Sequence, residues 1–233
     1  MLNPFGKNIW LADGPRIKAA AGFCYPTRMA VLKLPCGQLF VWSPVGLTDA
    51  LKVFLAEIGT VRHVVAPNSL HDSFLGEWHA AYPHAAFHAA PGLARKRPDI
   101  PFETELSDLV HQGWKGSVDQ VVFSGNAITT EVVFFHHDSG TVIFTDLLQQ
   151  LPRDWFSGWR RVVARLDLMI EPNPTVPRKF RLAFRDRGPA RAALAKIRNW
   201  PVKHVVMAHG TPVSEDAQEF LRNAFCWLEK RPS

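Results

Sequence analysis

The chain has 233 residues, of which 47% are hydrophobic and 21% are charged, a composition typical of a globular protein with a sizeable core. It shows neither a secretory signal at its start nor a run of about 18 to 20 apolar residues, so we expect a cytoplasmic protein without a membrane span. The three cysteines have no CxxC spacing, which argues against a disulfide framework and against a thiolate zinc site.

The first part of the chain reads as β-structure followed by a helix. Strands are predicted over residues 8–15, which end in a turn, and over residues 23–34 and 38–42. Thr48 is a suitable N-cap for a helix that runs to Ile58, and Gly59 ends it. A strand over residues 61–66 comes next.

A β-α-β progression then leads into an irregular stretch. Apolar residues spaced as in a helix predict one that begins after His71 and ends near Tyr82-Pro83, and a short strand follows over residues 85–88. Residues 92–114 are rich in proline and charge, and we expect no regular structure there.

The second part repeats the order of strands first and helices later. Strands are predicted over residues 118–123, 129–135, 141–144 and 204–207. Residues 149–200 read as helical, with interruptions at Pro172, Pro174, Pro177 and Gly188-Pro189. A closing helix over residues 214–228 has Ser214 as its predicted N-cap. This order predicts two packed sheets with helices outside them.

Three polar segments with side chains typical of metal ligands follow apolar strands. They contain His71, Asp146 and His209, each just past a run of β-branched or aromatic residues. Open α/β sheets bind ligands beyond the carboxyl ends of their strands, so these residues are predicted to converge on a metal ion. Each also has a structural alternative: His71 as a histidine that caps its own turn, Asp146 as a helix N-cap, and His209 as a strand-end histidine hydrogen-bonded to a loop.

Residues 131–146 read as a β-hairpin whose register decides where two carboxylates lie. With a loop of two or four residues, Glu131 lies opposite Asp146, and like charges so placed need a cation, a shared proton or a cationic side chain between them. With a three-residue loop the two carboxylates lie on opposite faces. His136 and His137, beside the turn, are expected to be exposed rather than to be ligands.

The order of these parts resembles the metallo-β-lactamase superfamily. Phe144-Thr-Asp146-Leu-Leu148 is similar to its segment with a metal-bridging aspartate, and Ala208-His209-Gly210 to the late segment with its final histidine. The resemblance implies an α/β fold, an αββα sandwich of two mixed β-sheets flanked by helices. It also implies that residues 1–233 form one metallo-β-lactamase-like domain.

The chain departs from the superfamily's HxHxDH motif, which should follow the strand that ends near residue 65. Residues 67–72 read Pro-Asn-Ser-Leu-His-Asp, so the first two histidines are lost, and His71 and Asp72 stand at the motif's aspartate and last-histidine positions. The superfamily's middle histidine, expected near Asn126 or Ala127, is missing too. The departure resembles a branch described as a domain of unknown function, whose members carry Pro-Asn followed closely by histidine.

The resemblance implies at most one complete metal site, built from His71, Asp146 and His209, with Asp72 or Glu131 left open as a further ligand. Mixed nitrogen and oxygen ligands suit one divalent ion, zinc first, with iron and manganese as alternatives. Such an ion can activate water to hydrolyse an ester, lactone, amide or phosphoester in a small-molecule substrate. Asp72 or Glu131, whichever is not a ligand, is the candidate catalytic base.

Two other functions remain open from the sequence. The lost histidines favour a non-catalytic binding module with a decayed metal site. The net charge of +6 admits a nucleic-acid binder, although a solvated basic helix is the commoner explanation. The basic residues that suggest nucleic-acid binding are Arg178, Lys179, Arg181, Arg185, Arg187, Arg191, Lys196 and Arg198. A homo-oligomer is also left open.

Overall fold

The computed structural model describes residues 2–172 and 175–229, so the interruption predicted at Pro174 lies outside the described residues. The strands are β1 (Leu2–Gly6), β2 (Ile9–Lys18), β3 (Cys24–Lys33), β4 (Gln38–Trp42), β5 (Thr60–Ala66), β6 (Ala86–Ala89), β7 (Phe102–Glu105), β8 (Val118–Phe123), β9 (Glu131–His136), β10 (Thr141–Gln150) and β11 (His204–Gly210). The helices are α1 (Asp49–Ile58), α2 (Leu75–Ala81), α3 (Leu93–Lys96), α4 (Gly158–Leu166), α5 (Arg178–Ala183), α6 (Gly188–Arg198) and α7 (Ala217–Glu229). In the described part of the chain, no helix combines the length and apolar character that crossing a bilayer requires.

The strands form two mixed sheets. The first has seven strands in chain order, β1 to β7, antiparallel up to β4 and parallel from β4 onward. The second has the order β11-β10-β9-β8, in which only β10 and β11 are parallel. Of the three candidate ligands, His71 follows β5, whereas Asp146 and His209 lie within the parallel pair β10 and β11.

Strict alternation of side chains packs the sheets face to face and leaves helices outside. In β4, Phe40 and Trp42 point between the sheets, whereas Leu39 and Val41 pack toward α1 and α2. The other sheet follows the same rule, since Phe134 of β9 joins the core between the sheets and its neighbours in sequence join the core under α5, α6 and α7. The predicted αββα sandwich is confirmed.

Several predicted boundaries were wrong for identifiable reasons. β10 continues to Gln150 because β11 pairs with it again beyond Phe144, so Asp146 lies within a strand and is not a helix N-cap. α7 begins at Ala217, because Asp216 has a left-handed backbone (φ 50°), and Ser214 therefore does not cap it. In the stretch expected to be irregular, α3 and β7 form, both only four residues long.

The histidine expected to be exposed at the hairpin is buried. His136 is 1% exposed, and its Nδ1 lies 2.8 Å from the hydroxyl of Ser139 in the turn. His137, next to it, is exposed as predicted.

Two further histidines are buried together between the sheets. His63 Nδ1 lies 3.1 Å from His88 Nε2, and both rings contact Trp114 edge-on. Burial, together with the charges of His111 and Arg62, lowers the pKa of His63 to about 4. Burial, together with the charges of His63, His111 and Arg62, lowers the pKa of His88 to about 3. Both rings are therefore neutral in the folded protein at neutral pH.

These histidines predict that the folded state loses stability in mild acid. As the pH falls below 6.5, these histidines bind protons in the unfolded chain, whereas in the folded chain they stay neutral down to about pH 4. The free energy of unfolding therefore decreases over that range. Each such histidine contributes a slope of up to about 1.4 kcal/mol per pH unit. Denaturant unfolding at a series of pH values measures it. His88→Leu should reduce the slope, whereas the exposed His84→Leu should not; a flat profile from pH 6.5 to 4 in the unaltered protein would contradict the prediction.

Candidate metal centre

The three candidate metal ligands come together at one edge of the sandwich. His71 Nε2 lies 3.3 Å from Asp146 Oδ2, and His209 Nε2 lies 3.3 Å from Asp146 Oδ1. One donor atom from each residue lies within 4.8 Å of the other two. A tetrahedral ion with ligand bonds of about 2.0 to 2.1 Å holds its ligands about 3.3 Å apart. The spacing of the two histidine–carboxylate pairs therefore fits such an ion.

The hairpin places Asp146 through a register that the sequence left open. Thr141 pairs with His136, so the loop has four residues, one of the two lengths that put Glu131 on the side of Asp146. The ladder with β9 ends at Ile143, and the pairing with β11 shifts after Phe144. Between these points β10 bulges, and the bulge carries Asp146.

Glu131 holds this bulge with its side chain. Its Oε1 accepts a hydrogen bond from the backbone N–H of Thr145 at 2.7 Å, and its Oε2 accepts those of Asp146 and Leu147 at 2.8 and 3.0 Å. Burial and the nearby Asp146 charge raise the pKa of Glu131 to about 8, against the effect of these three donors. Both carboxyl oxygens accept hydrogen bonds from backbone N–H groups, which disfavours their use as metal ligands.

Second hydrogen bonds fix the orientation of both histidine rings. His209 Nδ1 lies 2.8 Å from the carbonyl oxygen of Pro26, which can only accept, so Nδ1 carries a proton, and in the neutral ring Nε2 then has the lone pair. His71 Nδ1 lies 2.8 Å from the Ser43 hydroxyl. A lone pair that faces a carboxylate oxygen at 3.3 Å needs a cation or an additional proton between them. This pairing is typical of a metal-ligating histidine with an outer hydrogen-bond partner.

Backbone packing brings His209 to this point. A guanidinium nitrogen of Arg28 donates to the carbonyl oxygen of Met207 at 3.0 Å and to that of Gly210, and so ties the end of β11 to β3. Gly210 has a φ of 144°, and a Cβ there would overlap the backbone of Gln150. Only glycine allows β10 and β11 to approach this closely beside the histidine.

Asn68 is a member of the site that sequence reasoning did not assign. Its amide donates to Asp146 Oδ2 at 2.7 Å, and its own oxygen accepts the Leu70 N–H at 2.9 Å. Although burial alone would raise the pKa of Asp146, hydrogen bonds from His209 and His71 hold that pKa well below its usual value. Asn68 thus orients a carboxylate that stays ionised. The signal that could have found it is the Pro-Asn pair directly after β5.

Asp72 lies apart from the three candidate ligands. Its carboxylate forms ion pairs with Lys96 at 3.0 Å and Arg97 at 3.7 Å. These contacts attach the segment after β5 to α3 and the residue that follows it. For both Asp72 and Glu131, the geometry favours a structural role. The role of catalytic base, which the sequence suggested, stays a prediction.

The asparagine gives a first test of the site. Asn68→Ala is expected to lower metal affinity by about 10- to 100-fold, because the partner that orients the Asp146 carboxylate is lost. Asn126→Ala is a matched control, since Asn126 likewise accepts the N–H two residues onward but bonds to none of the three ligands. Competition with a metallochromic chelator measures the affinity. Equal affinities in the two variants would contradict the assignment of Asn68.

His71, Asp146 and His209 border a pocket of about 500 Å³. Most of the lining is apolar, and the site forms one part of its wall. On another part, Lys179 Nζ lies 3.0 Å from the Tyr25 hydroxyl. Tyr25, on β3, thus presents a polar group to the pocket. The lining residues include Ile17, Phe23, Leu70, Phe74, Ile128, Val163, Met169 and Phe180.

Comparisons with known proteins agree with this fold. The family model described as "Domain of unknown function (DUF4336)" matches residues 8–162. Among curated proteins, nothing matches the chain.

Solved structures similar to the chain include metallo-β-lactamases. The enzyme from Hirschia baltica matches with a TM-score of 0.64 at 10% identity, over 100% of this chain and 99% of that one. The mono-zinc form of the metallo-β-lactamase FIM-1 from Pseudomonas aeruginosa matches with a TM-score of 0.62 at 11% identity, over 99% and 96%. The metal-soaked Flv1 flavodiiron core from Synechocystis sp. PCC6803 matches with a TM-score of 0.65 at 12% identity, over 98% of this chain and 60% of that chain. At such identities the likeness shows the fold, and it confirms the resemblance predicted from the sequence.

Proposed function

We propose that this chain, which belongs to the family described as a domain of unknown function (DUF4336), is a metal-dependent hydrolase with one divalent ion at His71, Asp146 and His209. The fold and the cluster of one carboxylate and two imidazoles fit that class of enzyme. Zinc suits the mixed nitrogen and oxygen donors best, with iron and manganese as alternatives. The substrate is a small molecule with an ester, lactone, amide or phosphoester bond.

The observation that carries the proposal is the pairing of His209 with both Pro26 and Asp146. Because Nδ1 is committed to a carbonyl oxygen, Nε2 of the neutral ring would present a lone pair to a carboxylate, an arrangement that a bound cation would stabilise. Three protein ligands beside an open pocket are typical of catalytic zinc sites, where the remaining position is left for water or substrate.

The chain's own residues would prepare this site for reaction. Asn68 and the Glu131 carboxyl group hold Asp146 from two sides, Asn68 through the Asp146 side chain and Glu131 through the Asp146 backbone. The apolar wall displaces water from the substrate, which strengthens electrostatic interactions within the pocket. Lys179 Nζ and the Tyr25 hydroxyl are placed to bind a negatively charged or carbonyl oxygen of the substrate. A divalent ion, when bound, lowers the pKa of a water to about 7 and polarises a carbonyl or phosphoryl oxygen.

Metal content and its link to turnover test the proposal. Protein purified without chelator should contain near-stoichiometric zinc, iron or manganese by elemental analysis. It should hydrolyse some member of a panel of nitrophenyl esters, aromatic lactones, anilides and nitrophenyl phosphodiesters. A strong chelator should abolish that hydrolysis, and adding back the metal should restore it.

The second candidate is a binding module with a decayed site. It is favoured by the loss of the HxHxDH histidines and by the fact that the described residues bring together only one group of three ligand-type side chains. Folded protein that purifies without metal, and takes up none from a buffered solution of zinc, iron or manganese, would support the module and exclude the hydrolase.

A further inference from the structure

The helix α4 carries an apolar stripe on its solvent side. Trp159, Val162, Val163 and Leu166 follow the spacing i, i+3, i+4 and i+7, which places them on one face about 100° wide. Trp159 is 54% exposed, Val162 60% and Leu166 61%. In a globular protein such a stripe normally faces the core.

The opposite face of α4 accounts for this orientation. Ala164 is the buried residue of the helix, and it packs against Phe23, Phe156 and Met169. Helical geometry puts Ala164 roughly 150° from the centre of the apolar stripe. The helix therefore rests on the protein through Ala164 and through an edge contact of the Trp159 ring with Phe23, and it leaves more than half of Trp159, Val162 and Leu166 exposed.

Arg160 and Arg165 border the stripe on its two sides, and α4 has no acidic residue. Arg160 bonds to the carbonyl oxygen of Ala21 and lies over the Trp159 ring, whereas Arg161 and Arg165 are exposed. Arg178, also exposed, lies at the adjacent start of α5, where its N–H donates to Asp167. Large apolar residues flanked by cationic ones are typical of helices that lie in the interface of an anionic bilayer.

The same surface continues to the mouth of the pocket. Val163 belongs both to the stripe and to the lining of the pocket. Two further lining residues, Leu70 and Ile128, are 45% and 43% exposed. The pocket thus opens beside α4 through an apolar rim.

We propose that the outer face of α4 docks the protein onto an anionic lipid bilayer, with the mouth of the pocket turned toward the membrane. A second copy of the chain is a poorer occupant, because a two-fold contact through this stripe would bring the arginines of both copies together. A bilayer that carries negative headgroups satisfies the apolar and the cationic residues at once. The arginine side chains can reach the headgroups while their stems lie along the apolar surface.

Vesicle flotation tests the docking without any measure of turnover, so its failure leaves the proposed hydrolysis untouched. The full chain should bind vesicles of equal parts phosphatidylcholine and phosphatidylglycerol and bind pure phosphatidylcholine vesicles far more weakly. The double variant Trp159→Ser with Leu166→Ser should lose about 100-fold in partitioning. Arg165→Gln should lose about fivefold at low salt.

A matched control removes apolar residues that are equally exposed elsewhere. Val53, which is 61% exposed on α1, and Leu109, which is 83% exposed, lie outside the stripe, so Val53→Ser with Leu109→Ser should bind as the unaltered protein does. Equal binding to neutral and anionic vesicles, or no binding to either, would overturn the proposal. So would a dimer that the Trp159→Ser variant converts to a monomer without any change in vesicle binding, since the stripe would then be a contact between copies.

Discussion

Replacing His209 by alanine is expected to leave a folded protein that no longer retains a metal ion. The change removes one of three ligands, and even loss of a hydrogen-bond partner behind a ligand lowers metal affinity by about 10- to 100-fold. We therefore expect a loss of more than about 100-fold in affinity, with hydrolysis falling to background. The free energy of unfolding of the metal-free protein should fall by only about 1 kcal/mol, because the main structural loss is the hydrogen bond to Pro26.

The measurements for His209→Ala are metal content after purification and the shift of the thermal midpoint with added metal. An ion that binds only the folded state raises that midpoint in the unaltered protein, and the rise should vanish in the variant. His204→Ala is the matched control, since His204 lies on the same strand but outside the group of three. If His209→Ala kept its metal and the midpoint shift, the metal centre would have to lie elsewhere.

Elements with strong local signals were predictable from the sequence. α1 begins after Thr48, whose hydroxyl accepts the Leu51 N–H at 3.2 Å, and it ends at Gly59, because capping residues act on their immediate neighbours. β4 and β8 have their predicted bounds, since each is a compact apolar run between turns. Such signals need no knowledge of the rest of the chain.

Other elements depend on distant partners and were missed for that reason. β1 pairs with β2, and β7 pairs with β6, but neither strand has an apolar run of its own. The extension of β10 past Phe144 depends on β11, which lies about 60 residues away in sequence and fixes the bulge around Asp146. Tertiary pairing decides these segments, and no periodicity within them records it.

The candidate site divides in the same way. His71, Asp146 and His209 could be proposed because each follows an apolar run of sequence, and the structure brings them together. The groups that hold them could not, because an asparagine side chain, a proline carbonyl and a serine hydroxyl carry no distinctive pattern in sequence. The role of Glu131 depended on a register that turn chemistry alone left open.

Glu131→Gln is expected to lower the free energy of unfolding by about 2 to 4 kcal/mol. The carboxyl group accepts hydrogen bonds from three buried backbone N–H groups. In the glutamine amide, an NH2 group that only donates replaces one of the two accepting oxygens and faces those N–H groups. Each buried N–H left without an acceptor costs about 1 to 3 kcal/mol. Because these donors belong to residues 145–147, the bulge that carries Asp146 should loosen, and metal affinity should fall with stability.

Urea unfolding of the metal-free variant and its metal affinity together decide what Glu131 does. A residue that positions the bulge should alter both quantities, whereas a catalytic base should alter turnover and leave stability and metal content unchanged. Asp119→Asn, on the neighbouring strand β8, is the control, since Asp119 pairs with the exposed His137 and should cost less than about 1 kcal/mol. Unchanged stability and metal affinity together with lost turnover would return Glu131 to the role of base.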